Sequence, residues 1–189
     1  MDNHRFQILG IAGSLRRHSY NRALLDAAQH LMSDTVPIEL FDLLPIPFYN
    51  EDLEAEETPV AVRMLRHRIA AADALLIATP EYNYAMPGVL KNALDWASRP
   101  AEDSVLRYKP VALIGASPSV YGTVRAQMML RQVLLGTGSY VLTEPEMMVA
   151  RAHEQFDALG KLQDKDTQER LRRLVDALVN WTQRLHGSE

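Results

Sequence analysis

Short apolar runs alternate with stretches of helical period along this chain, and that alternation limits the possible folds more than any other feature. FQILGIA (Phe6–Ala12), DALLIAT (Asp73–Thr79) and PVALIGA (Pro110–Ala116) are apolar at nearly every position, as strands buried on both faces require. PIELFDL (Pro37–Leu43) alternates less cleanly and predicts a second strand, and Ser139–Leu142, with Met147–Val149 as a candidate continuation, predicts a fifth. Between the strands, Asn21–Met32 sets Leu24, Leu25, Ala28, Leu31 and Met32 at helical spacing. Helices are also expected over Pro59–Ala72, Pro87–Ser98 and Thr123–Leu135. Leu171, Leu174, Val175, Leu178, Trp181 and Leu185 give Gln168–Leu185 one apolar face. Leu44–Thr58, rich in proline and acids, reads as a long loop. Strands alternating with helices predict a parallel sheet covered on both faces, with right-handed crossovers. In 189 residues such units make one domain over 1–189, an α/β three-layer sandwich on a five-stranded sheet of order 2-1-3-4-5.

In sheets of that order a ligand sits beyond the carboxyl ends of the strands, at the switch point between strands 1 and 3. Three polar loops, Gly13–Asn21, Pro80–Met86 and Ser117–Gly122, follow strands 1, 3 and 4, so one crevice collects all three. The first reads Gly13-Ser14-Leu15-Arg16-Arg17-His18-Ser19-Tyr20-Asn21. It has neither the lysine and spacing of a P-loop nor G-x-G-x-x-G, which argues against a nucleoside triphosphate or a Rossmann-type dinucleotide. Hydroxyls at Ser14 and Ser19, the Asn21 amide and the Arg16 guanidinium gather where a helix begins. Free N–H groups and the positive dipole end favour an anion there. A plain capping role for Ser19 or Asn21 is the competing reading; the place after strand 1 favours a phosphate. The second loop packs Glu81, Tyr82, Asn83 and Tyr84 between Pro80 and Pro87. That is more than a turn needs, and it suits a flat, polar ligand.

Ser14-x-Arg16-x-x-Ser19-x-Asn21, Pro80-Glu81-Tyr82-Asn83 and Pro87-Gly88-x-Leu90-Lys91-Asn92-Ala93-x-Asp95-Trp96 together resemble the NADPH-dependent FMN reductase family, most of all its quinone and chromate reductase branch. Leu44-Pro45-x-Pro47-x-Tyr49-Asn50-x-Asp52 and Arg125-Ala126-Gln127-x-x-Leu130-Arg131 match as well, so the resemblance runs from about Ile8 to Glu146. It implies a flavodoxin-like fold, FMN as cofactor, NADPH or NADH as reductant, a small-molecule electron acceptor such as a quinone or chromate, and a homodimer or dimer of dimers. By the same resemblance Ser14, Arg16, Ser19 and Asn21 hold the flavin phosphate. Pro80, Glu81, Tyr82, Asn83 and Tyr84 lie against the isoalloxazine ring, and Ser117 with its neighbours and Gly122 closes the other side. Pro118, Ser119 and Thr123 depart from the family's more glycine-rich loop. Tyr82 and Tyr84 stay open between ring stacking and packing against core or partner, and Glu81 reads first as a surface or loop-ordering carboxylate. No side-chain acid, base or nucleophile is implied, because the flavin does the chemistry. The alternative is an FMN-binding electron carrier or regulatory flavoprotein without an efficient NAD(P)H site. A net charge of only −4 weighs against a strongly acidic shuttle.

Composition removes other classes. The chain has no cysteine, which excludes disulfides, thiolate metal sites and thiol nucleophiles. Its 6 histidines are scattered with no i,i+4 pair, so no metal is expected. Interspersed acids and bases argue against nucleic acid. No apolar run approaches the roughly 20 residues that span a bilayer. Met1–Arg5 leads straight into the first strand with no signal-like apolar stretch, so a cytoplasmic protein without membrane insertion is expected. Gly115-Ala116-Ser117-Pro118-Ser119 is not the G-x-S-x-G of a hydrolase. Leu90, Ala93, Leu94 and Trp96 are expected in the core or a dimer contact, and Met128-Met129 and Met147-Met148 in packing.

Overall fold

The computed structural model describes residues 6–187; Met1–Arg5, His4 among them, lie outside the described residues. Strands β1 (Ile8–Ala12), β2 (Ile38–Phe41), β3 (Ala74–Ala78), β4 (Pro110–Ala116), β5 (Tyr140–Val141) and β6 (Met147–Val149) form one sheet. Its order is β2-β1-β3-β4-β5, and every pairing is parallel. The expected fifth strand is present in two pieces on one edge of β4. β5 pairs with Pro110 and Val111, and β6 with Ile114 to Ala116. Between them the chain leaves the ladder through residues 143–146, where Pro145 has no N–H to donate.

Helices α1 (Tyr20–Leu31), α2 (Glu51–Glu56), α3 (Val60–Ala71), α4 (Gly88–Ala97), α5 (Val124–Gly136), α6 (Ala152–Gln155) and α7 (Lys165–His186), with a 3-10 turn over Ala101–Asp103, complete the described elements. Side chains alternate across the pleat. Ala74, Leu76, Ala78, Ala112 and Ile114 meet Leu24, Leu25 and Ala28 of α1 and Leu171, Leu174 and Leu178 of α7. Leu75, Ile77, Val111 and Leu113 meet α3, α4 and α5 on the opposite face. The three-layer sandwich expected from the apolar pattern is thus the one observed.

Two short helices depart from expectation. Residues 44–58 are not all loop: α2 starts at Asn50, whose side chain accepts the Asp52 N–H, and three acids in its first turn complement the dipole. α6 is a single turn that no periodicity announces. Trp96, a candidate interface residue, is core: it is 1% exposed and donates its indole N–H to the Pro47 carbonyl at 2.9 Å. Asn92 donates to the same carbonyl at 2.8 Å and accepts the Tyr49 N–H at 2.7 Å. The polar side chains of α4 therefore pin the segment that precedes α2.

Candidate functional site

The carboxyl ends of β1, β3 and β4 open into the three polar loops. Gly13 leaves β1 with its N–H on the Ala78 carbonyl at 2.8 Å. A methyl group there would press on Leu90 and Pro80, so the first loop lies close to the second. Ser19 caps α1, its hydroxyl accepting the Asn21 N–H at 3.2 Å. Ser14, 5% exposed, accepts the Arg16 N–H at 3.3 Å and lies 3.4 Å from the Tyr82 hydroxyl. Among the described residues, the amides of Leu15, Arg17 and His18 have no hydrogen-bond partner and Arg16 pairs with no carboxylate. The first turn of α1 contains no acid. The loop is thus a cluster of N–H donors beside a positive helix end and an exposed guanidinium, the donor set that a phosphate requires.

Asn21 stands differently from its neighbours. Its Nδ2 donates to the Ala116 carbonyl and its Oδ1 accepts the Ala116 N–H, each at 2.9 Å. The side chain, 2% exposed, joins the start of α1 to the end of β4 rather than reaching into the crevice. Gly122 is also turned to packing. With φ +55°, it lies so near β6 that a Cβ would fall 2.8 Å from the Met148 Cβ.

In the second loop Pro80 is buried, and the chain reverses in a tight turn. Tyr82 and Ala85 exchange both backbone hydrogen bonds, at 2.9 and 3.0 Å, around Asn83 (φ 51°) and Tyr84 (φ 67°). Positive φ at both central residues is natural for asparagine and strained for tyrosine. Tyr82 and Tyr84 are 51% and 69% exposed. Glu81 points the other way. One oxygen accepts the Arg125 N–H at 3.0 Å and the Ala126 N–H at 3.3 Å; the other takes the Arg125 guanidinium at 2.7 Å. Glu81 therefore acts as the N-terminal cap that α5 lacks locally, since Thr123 makes no side-chain cap. It is the loop-ordering acceptor, and its hydrogen bond pushes the Arg125 pKa up from an already high value.

The third loop is tied to β6 and α6. Ser117 donates its N–H to Val149 and accepts the Ala152 N–H, and its hydroxyl bonds Ser119 at 3.0 Å. Ser119 in turn accepts the Tyr121 N–H at 3.3 Å and the Arg151 N–H at 3.0 Å. The two serines thus shape a turn that holds Val120 and Tyr121 in solvent. Thr123 is fully buried in a left-handed conformation, its hydroxyl lodged against Gly115. Sequence reasoning gave Arg125 and Tyr121 no role. The available signal was electrostatic: an arginine in the first turn of a helix opposes the dipole and calls for an acid nearby.

A parallel sheet of this order, with an anion-friendly first loop and two aromatic-bearing loops at one switch point, defines a flavodoxin-like protein. Residues 6–154 match the model of the NADPH-dependent FMN reductase family. The chain is 50% identical to an NAD(P)H-dependent FMN reductase of Pseudomonas aeruginosa, over 96% of this chain and 97% of that one. It is 41% identical to a 2-hydroxy-1,4-benzoquinone reductase of a Burkholderia species, over 93% and 95%. Its fold superposes with a TM-score of 0.87 on FerB, a flavoenzyme NAD(P)H:(acceptor) oxidoreductase from Paracoccus denitrificans, at 38% identity over 95% and 98% of the two chains. The chain belongs to the NADPH-dependent FMN reductase family. It is an FMN-dependent NAD(P)H oxidoreductase acting on a small-molecule acceptor. Among the described residues no helix is long and apolar enough to cross a membrane.

Proposed function

We propose that this oxidoreductase reduces quinones, with the flavin phosphate in the loop from Gly13 to Ser19 and the flavin ring against Pro80–Tyr84. One observation carries the placement: among the described residues the amides of Leu15, Arg17 and His18 and the Arg16 guanidinium have no internal acceptor, and the first turn of α1 has no acid to compete for them. The Ser14 hydroxyl lies beside that cluster, and Ser19 holds the helix end that points to it. Tyr82, Tyr84 and Tyr121 offer exposed rings on the loops around the crevice, suited to flat aromatic ligands. The quinone-reducing relative supports quinone as acceptor; chromate is a further candidate small enough for the same opening.

FMN, when bound, supplies the acceptance of a hydride from NAD(P)H and its delivery onward as electrons. The chain's part is to bind and orient. Backbone amides and Arg16 neutralise the phosphate charge, and Pro80 with the turn at Tyr82–Ala85 gives a fixed wall on which a ring is aligned. The segment from Ser117 to Tyr121, braced on β6, bounds the crevice opposite. Glu81, engaged with α5, is not free to move a proton at this wall.

The same reading takes 1–189 as one domain, supported by two helical layers on one sheet, and a cytoplasmic site where NAD(P)H is supplied. It takes a homodimer, or a dimer of dimers, as the working assembly. Exposed Leu44, Phe48, Val60 and Met64 give the segment after β2 and the outer side of α3 an apolar surface, and isologous pairing is the commonest way to cover one. Light scattering at micromolar concentration checks this, with a clean monomer as the contrary result.

The deciding experiment mixes flavin-loaded protein anaerobically with NADPH and then adds quinones or chromate. Bleaching followed by recovery of the flavin band on quinone addition is expected. Flavin that stays oxidised identifies an electron carrier instead. Arg16→Ala should weaken FMN binding by roughly 10-fold or more, the scale of one charge-assisted contact, while leaving the thermal midpoint of the apoprotein unchanged. Equal affinity removes Arg16 from the phosphate.

A further inference from the structure

Arg125 touches both aromatic loops. Its guanidinium carbon lies 4.2 Å from the centroid of the Tyr84 ring and 4.1 Å from that of Tyr121. Those rings belong to different segments, one after β3 and one after β4. The guanidinium is not free to leave: Glu81 holds it at 2.7 Å and fixes the backbone N–H of the same residue at 3.0 Å. The Glu81 side chain is 11% exposed and that of Arg125 34%, so the pair is screened less than a surface pair. Tyr84 meanwhile sits at φ 67°, a strained conformation for a tyrosine that persists only where its surroundings hold it. A stacked guanidinium is such a holder.

We propose that Arg125 is the positioning residue of the acceptor opening. Held by Glu81, it brackets Tyr84 and Tyr121 into a rigid rim and so selects flat aromatic acceptors over bulky ones. The selection rests on the functional reading above; the bracket itself does not. Its four members come from Glu81 and Tyr84 on one loop, Tyr121 on another and Arg125 on α5. Without the guanidinium, the turn at Tyr82–Ala85 keeps its two backbone bonds but loses the contact that holds Tyr84, and Tyr121 loses its counterpart across the rim. Lysine at 125 keeps a charge for Glu81 but has no planar group to lie between two rings.

The test has an apoprotein arm and a kinetic arm. Hydrogen exchange of the apoprotein is compared for wild type, Arg125→Lys and Arg125→Ala, with Arg125→Lys guarding against loss of fold. Exchange at Tyr82–Ala85 is expected to rise about 10-fold in both variants, as a sub-global opening, while amides of β1 and β3 stay protected. Unchanged exchange at the turn overturns the bracket, whatever the enzyme does. In turnover, KM for a single-ring quinone is expected to rise at least about 5-fold in both variants, with kcat falling less, because a loosened binding wall removes uniform binding. The preference for this flat quinone over one carrying bulky, out-of-plane substituents should shrink. Retained preference with a loosened turn overturns the selectivity. Tyr84→Phe and Tyr84→Asn separate stacking from turn geometry: Phe keeps the ring, whereas Asn relieves the positive φ but has no ring. Phe is expected to match wild type and Asn to match Arg125→Ala; an Asn variant equal to wild type means that the turn alone suffices. If wild type itself reduces no quinone, the functional reading fails, and the exchange arm still decides the bracket.

Discussion

Asn21 bonds both backbone groups of Ala116 with a single amide. It sits at the first turn of α1, and Ala116 is the last residue of β4, so this side chain sets the distance between the first and third loops. Asn21→Ala orphans a buried N–H and a buried carbonyl, at about 1–3 kcal/mol for each unsatisfied group. The expected result is a fall in the urea midpoint with an unchanged m-value, in the apoprotein, where no ligand can obscure it. A midpoint within error of wild type would mean that water replaces both bonds. The sequence offers Asn21 as a phosphate partner or a cap, whereas its side chain ties α1 to β4. Its partner lies 95 residues away, and no spacing rule reaches that far. Glu81 is the converse. Its reading as an order-giving carboxylate needed only the absence of a mechanistic task, although its partner Arg125 lies 44 residues away.

At the level of elements, the strands buried on both faces were the most legible, because a run such as PVALIGA leaves a strand few other places to go. β4 covers Pro110–Ala116, the bounds expected from the sequence. What stayed hidden had no apolar period to reveal it. Four of the six residues of EDLEAE are acidic, so α2 is visible only through its Asn50 cap and acidic first turn, and the split of the fifth strand shows in the sequence only as Pro145, which has no N–H to donate. One contact between elements was also invisible: Gly115 of β4 against Thr123 before α5. A Cβ on Gly115 would lie 1.8 Å from the Thr123 hydroxyl and 2.8 Å from the Thr79 carbonyl oxygen. Gly115→Ala must therefore push the start of α5 away from the sheet, with destabilisation of about 1–3 kcal/mol or more, the range for overpacked cores. Thr123→Ala in the same chain should recover part of this and not all, because the Thr79 carbonyl is backbone and stays in place. Thermal melts of the single and double variants check the order. Full recovery in the double variant would show that the Thr79 contact relaxes freely.

Over the whole molecule, the switch point between β1 and β3 is where sequence and structure agree most usefully. Once the sheet order is 2-1-3-4-5, the loops after β1, β3 and β4 have to meet at one end, and their donors and aromatic rings define one crevice. That convergence has a kinetic consequence. With the proposed phosphate loop on one side and the proposed rim of Tyr84, Arg125 and Tyr121 bounding another, the reductant and the acceptor approach the same place. NADP+ or NAD+ must then leave before a quinone enters. Initial rates at several fixed quinone concentrations are expected to give parallel lines in double-reciprocal plots against NADPH, the ping-pong pattern. Excess quinone should inhibit competitively with NADPH, because it occupies the same opening before reduction. The measurement needs only wild-type holoenzyme and one well-behaved quinone. Intersecting lines without quinone inhibition would mean that both substrates are held at once. The crevice would then contain two separate positions, and the family assignment would stand without the single-opening mechanism.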